Sequence, residues 1–129
     1  MPSVDTNVVL RWLLNDVPEQ TERVNALFSS GQRFDVDDAT VIEVVYVLER
    51  ALRLSRGTVT EAIRTLLSEA SMNLDREHWS VALTYFEQHP KLSITDIHLA
   101  LRAAERSETL FTFDAKLISQ LATMTSPVP

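Results

Sequence analysis

An α/β domain is what this sequence predicts, with a central, mainly parallel sheet and helices on both faces in a three-layer α/β/α arrangement. Three observations carry the prediction. Short apolar segments alternate with stretches of helical periodicity. Two of those segments, ending at Val4 and Phe113, run directly into an Asp that suits a helix N-cap. No internal repeat or long linker divides the 129 residues, so a single domain over 1–129 is expected. Such alternation builds βαβ units, whose crossovers place strands in parallel. A chain of this size buries roughly two-thirds of its unfolded surface, enough for a core without covalent staples.

The elements follow in order. Ser3-Val4 is a short apolar start, stopped by Asp5-Thr6-Asn7, which favour turns and caps. Val8 to Leu14 makes a short helix. Asp16-Val17-Pro18-Glu19 starts a second, with Pro at the first helical position and an acid in the first turn. It runs to about Ser30, where Gly31 ends it. Arg33 to Val36 is a short strand. Val41, Val44, Val45, Leu48 and Leu52 recur at helical spacing and form a core stripe. Thr58-Val59-Thr60-Glu61 has the form of a capping box and opens a helix to about Ala70. Met72 to Leu74 reads as strand. A helix from about Arg76 to Gln88 ends at His89-Pro90, and Ser93 to Arg106 is another. Thr109 to Phe113, β-branched and aromatic, is the clearest strand. Asp114 begins a last short helix, and Ser126 to Pro129 is expected to fray.

Composition narrows the function classes. With 45% hydrophobic and 23% charged residues, the chain reads as an ordinary folded soluble protein. The absence of cysteine removes disulfides, cysteine metal sites and thiol nucleophiles, and fits a reducing cytoplasm. The N-terminus has neither a basic region nor a long apolar run, which predicts no secretory signal. No stretch approaches the ~20 apolar residues of a membrane span. The net charge of −6 opposes passive binding of nucleic acid. Handling RNA therefore requires metal ions and a local basic patch.

The candidate chemistry lies in acidic side chains. In open parallel sheets, ligands sit beyond the carboxyl ends of strands. Asp5 closes the first strand, Asp114 follows the clearest one, and Asp96 falls in a first helical turn. Each Asp is also a good cap or first-turn residue in its own right. Glu43 is different: it lies opposite the Val41/Val44/Val45/Leu48 stripe, yet Ile42, Tyr46 and Val47 surround it. That setting predicts a partly buried carboxylate needing a partner, either Arg50 or a metal. Converging carboxylates repel unless a cation compensates, and oxygen-only ligands select a hard ion, Mg²⁺ or Mn²⁺. Hydrolysis of phosphodiesters is the chemistry that fits.

The motifs themselves carry a resemblance. Val4-Asp5-Thr6-Asn7-Val8-Val9-Leu10, Val41-Ile42-Glu43-Val44-Val45-Tyr46-Val47-Leu48-Glu49-Arg50, Asp96-Ile97-His98-Leu99-Ala100 and Thr112-Phe113-Asp114-Ala115-Lys116-Leu117 resemble the successive motifs of PIN-domain nucleases. The chain is most similar to the VapC-type toxins of prokaryotic toxin–antitoxin systems, over nearly its whole length. The resemblance implies that Asp5, Glu43, Asp96 and Asp114 are the metal-binding catalytic set. It implies that Asn7 orients Asp5 or a bound water, with Thr6 beside it, and that Thr112 supports Asp114. It further implies Mg²⁺- or Mn²⁺-dependent endonucleolytic cleavage of single-stranded RNA, a homodimer, and inhibition by a cognate antitoxin protein. His98 departs from the small or aliphatic residue usual at its position; helix geometry aims it away from Asp96, so it reads as packing or surface.

Arg11, Arg50 and Lys116 lie near the acidic motifs, and Arg11 and Lys116 are candidates for RNA phosphates, with a solvated face or local ion pairs as the alternative. Trp12 and Trp79 read as core or interface anchors rather than base-stacking platforms. An aspartyl-phosphate phosphatase is disfavoured because its second acid, two positions after Asp5, is Asn7 here. A stand-alone PIN nuclease for RNA processing or DNA, and a non-catalytic nucleic-acid-binding module, remain as alternatives.

Overall fold

The computed structural model describes residues 1–129. The chain forms two compact units, Met1–Arg76 and Glu77–Pro129, each built from helices and very short parallel strands.

In the first unit, Ser3 bridges to Asp35 in parallel, and the Val4 amide donates to the Asp35 carbonyl at 3.1 Å. Helix α1, Thr6–Leu14, begins at Asp5 and stops where Asn15 turns left-handed, φ 51°. Helix α2, Pro18–Phe28, has Pro at its start and Glu19 in its first turn, as the sequence requires. The Thr21 hydroxyl donates to the Arg11 carbonyl at 3.0 Å and ties α2 to α1. Trp12 packs edge-on against Phe28, and Phe28 against Phe34. Strand β1, Phe34–Asp35, pairs in parallel with β2, Met72–Asn73.

Helix α3, Asp38–Tyr46, is capped by the Asp37 carboxylate and buries Val41, Val44 and Val45 completely. The predicted stripe holds through Leu48, but Leu52 is exposed. A π-helical turn over Val47–Ala51 is the cause: the Leu52 amide donates to the Val47 carbonyl, five residues back. The wider turn rotates Leu52 off the core face. Helix α4, Arg56–Ser68, is capped by Ser55 rather than Thr58; the Ser55 hydroxyl accepts from the Thr58 amide at 3.2 Å, so the first turn forms earlier than the capping-box reading placed it. Arg76 donates to the carbonyls of Leu67, Glu69 and Met72, holding the end of α4 to β2.

The second unit carries α5, Arg76–Gln88, from Glu77 onward, and α6, Ile94–Glu105. Trp79, Ala82, Leu83 and Phe86 form the fully buried stripe of α5, and Ile97 and Ala100 that of α6. Strand β3, Leu110–Thr112, is followed by α7, Ala115–Gln120, and by β4, Thr125–Pro127. The two strands pair in parallel, Leu110 with Thr125 through Thr112 with Pro127. The tail expected to fray is thus partly a strand. Ser126 and Pro127 have little strand propensity, and Pro127 sits at the strand end, where a missing N–H costs least. Phe113, assigned from sequence to the strand, lies outside it and is 88% exposed. No helix is long and apolar enough to cross a membrane.

Candidate active site

Asp5 and Glu43 both belong to the first unit. Asp5 is the N-cap of α1: its Oδ1 accepts from the Val8 amide at 3.1 Å. The local reading of Asp5 as a cap is therefore correct, yet the cap engages one carboxylate oxygen and leaves Oδ2 available. Thr6, half-buried in the next position, donates its hydroxyl to Glu43 Oε2 at 2.9 Å. This bond joins the Asp5 turn to the middle of α3 across 37 residues of sequence.

Glu43 is exposed, which corrects the expectation of partial burial. On a helical wheel it lies squarely opposite the buried stripe, and its neighbour on that outer face, Tyr46, is 62% exposed. The apolar residues around Glu43 do not bury it, because Ile42 and Val47 only flank the core. Its hydrogen-bond partner is Thr6, not Arg50. Arg50 instead lies 3.8 Å from Glu49, which also takes a 2.8 Å ion pair from Arg56.

In the second unit, Ser93 caps α6 by accepting from the Asp96 amide at 3.1 Å. Asp96 is half-buried in the first turn, and its carboxylate is not consumed by the cap. Asp114 does cap its helix: Oδ1 accepts from the amides of Lys116 and Leu117, at 2.9 and 3.2 Å. The Thr112 hydroxyl accepts from the Asp114 amide at 3.0 Å. Thr112 thus supports the backbone of Asp114 rather than its carboxylate.

Asn7 makes no hydrogen bond to Asp5. Together with it, Asn7 lines an open groove of about 500 Å³ between α1 and α2, to which Arg11, Gln20 and Arg23 also contribute. Arg11 pairs with Asp16 at 3.4 Å. Lys116 is exposed in the first turn of α7.

Each acid that acts as a cap, or accepts from Thr6, does so through one oxygen. All four donors are hard carboxylates, the set that suits Mg²⁺ or Mn²⁺. Within either unit, no three His, Asp or Glu side chains gather closely enough to form a metal cage by themselves. Cysteine sulfur, a common zinc ligand, is absent from the chain.

Sequence reasoning missed a polar network in the second unit. His78 is buried, with Nδ1 2.6 Å from Glu105 Oε1 and Nε2 2.8 Å from His98 Nδ1. His98 stacks on Trp79 at 5.0 Å, and Arg102 donates to Glu105 at 3.0 Å. Burial works to raise the Glu105 pKa, but the hydrogen bonds from His78 and Arg102 prevail and hold it below 4.5. His98 and Glu105 are seven residues apart on α6 and so share a face. That spacing was the available signal. Its partner on α5 had none, because His78 is separated from them by 20 residues or more.

Among families of known proteins, the model described as PIN domain matches residues 3–122, a span running through both units. No curated protein and no solved structure gives a significant match.

Proposed function

Since the chain belongs to the PIN-domain family, whose α/β/α fold is of nuclease type, we propose that it is a Mg²⁺- or Mn²⁺-dependent endoribonuclease cleaving single-stranded RNA. The proposed catalytic, metal-binding acids are Asp5 and Glu43 in the first unit and Asp96 and Asp114 in the second. The observation that carries the reading is the Thr6–Glu43 hydrogen bond. It fixes an exposed carboxylate, which has no role in the core, beside the turn that presents Asp5. A surface Glu needs no such restraint for folding; a ligand does.

When bound, a divalent cation supplies neutralisation of the phosphate and activation of water for attack on the phosphodiester. The protein's own groups prepare for it. The first turn of α1 orients Asp5 by one amide, and that of α7 orients Asp114 by two, in each case on one oxygen. Thr6 restrains Glu43. Ser93 satisfies the start of α6 and so spares the Asp96 carboxylate for other work. Neutralising the acids also removes much of the −6 charge that opposes RNA.

Similarity to the VapC-type motifs supports a finer reading: a homodimeric cytoplasmic toxin, held inactive by a cognate antitoxin protein. A stand-alone PIN nuclease has the same chemistry without that partner. The test uses purified, partner-free protein and a labelled single-stranded RNA. Cleavage that requires Mg²⁺ or Mn²⁺ and is lost in Asp5→Asn supports the nuclease. A wild-type protein that binds RNA but never cuts it would make the chain a binding module. Relief of growth arrest by the product of a small adjacent gene separates toxin from stand-alone enzyme.

A further inference from the structure

We infer that the groove between α1 and α2 is a nucleotide subsite beside Asp5, in which Arg23 and Arg11 take a backbone phosphate of single-stranded RNA and an apolar floor receives the sugar or base. The inference rests on the nuclease reading and adds to it a place where substrate is held.

Helix geometry builds the groove. Val8 and Arg11 are three apart on α1, and Gln20, Arg23, Val24 and Leu27 follow an i, i+3, i+4, i+7 course along α2. Each set therefore lies along one face. The core of the unit uses a neighbouring stripe of α2, Thr21, Val24 and Phe28, which leaves Gln20, Arg23 and Leu27 open to solvent. The resulting space, about 500 Å³, is of the size that holds small-molecule ligands.

The lining is what a nucleotide needs. Arg23 is exposed and enters no ion pair, so its guanidinium fork is uncommitted. Arg11 reaches Asp16 only through Nη1 at 3.4 Å, and its Nε is buried without a hydrogen-bond partner. Two guanidinium groups alone would suit any anion. Val8, Val24 and Leu27 add a surface on which a base or ribose can lie, and Gln20 adds an amide able to read a base edge. An acidic peptide would use the first pair but brings no flat ring to the apolar surface. Asp5 stands at the rim of the same groove. Arg11 lies six residues beyond the Asp5 cap, about 9 Å along the axis. A phosphate held there belongs to a nucleotide next to the one at Asp5.

The test measures binding of a labelled single-stranded RNA by fluorescence anisotropy in EDTA, over a salt series, and cleavage of the same RNA with Mn²⁺. Arg23→Ala is expected to bind about tenfold more weakly, with a salt slope smaller by about one. In cleavage it raises KM more than it lowers kcat. Arg23→Lys recovers part of the affinity, and Arg33→Ala, an exposed arginine outside the groove, behaves as wild type. Wild-type affinity and salt slope in Arg23→Ala and Arg23→Glu, with RNA still cleaved, overturn the subsite and leave the nuclease standing. Polyglutamate that displaces RNA as well as a polyuridylate of equal charge, in an Arg23-dependent way, overturns it in favour of an acidic peptide. If wild-type protein neither binds nor cuts RNA, the nuclease reading fails first and the subsite with it.

Discussion

Thr6→Val tests whether the bond between α1 and α3 serves catalysis or only folding. The substitution keeps a β-branched side chain of similar shape and removes the hydroxyl that donates to Glu43 Oε2 at 2.9 Å. A hydrogen bond to a charged group is worth about 1.5–3 kcal/mol when shielded from water. Glu43 is exposed and Thr6 half-buried, so solvent competes and the loss of stability falls to roughly 0.5–1 kcal/mol. Activity should fall much further. A carboxylate released to rotate no longer presents its free oxygen in one place, and losing such a supporting partner typically costs about 10- to 100-fold. Urea unfolding measures the first quantity, and kcat/KM on single-stranded RNA with Mn²⁺ the second. Thr6→Ser should restore both. If Thr6→Val cleaves as wild type does while Glu43→Gln is inactive, Glu43 acts without that restraint, and the reasoning from the hydrogen bond is wrong.

Glu105 gives a prediction about pH. Its folded pKa lies below the ordinary 4.5, so its contribution to stability is complete above 4.5 and disappears as pH falls through the lower folded value. Glu105→Gln should therefore be less stable than wild type at neutral pH, with the difference closing in acid; unfolding free energies across the pH range that differ by a constant amount would contradict this. Trp79 is fully buried and stacked on His98, so Trp79→Ala should cost about 3–5 kcal/mol, read as a lower urea midpoint. Removing metal with EDTA should abolish cleavage and leave the circular dichroism spectrum and melting temperature nearly unchanged. The caps and hydrogen bonds that hold the acids are made by the protein itself, so a structure that collapsed in EDTA would indicate a folding role for the ion.

Where chemistry is local, the sequence was sufficient. Asp5 and Asp114 are caps because a carboxylate next to free helix amides has few better conformations, and Pro18 starts α2 for an equally local reason. The stripe Val41, Val44, Val45 and Leu48 identified α3 because burial follows the helical period. The same wheel placed Glu43 on the outer face, and the expectation of burial failed because apolar flanking residues matter less than angle around the helix. The features hidden from the sequence depend on partners distant in the chain. The Thr6–Glu43 bond, the His78–His98–Glu105 network and the pairing of β4 with β3 are all of this kind. The π-helical turn after Tyr46 has no local signature either, and it moved Leu52 out of the core. Arg11 stands out in the sequence for its position near Asp5, whereas Arg23 gains significance only because α2 lies along α1.

The central claim is that the acidic side chains cut RNA. Mapping of cleavage ends in total RNA after induced expression, with Asp5→Asn expressed to the same level alongside, tests it most directly. New, discrete cleavage ends are expected with the wild-type protein and none with Asp5→Asn. Identical RNA end profiles for the two proteins would contradict the claim.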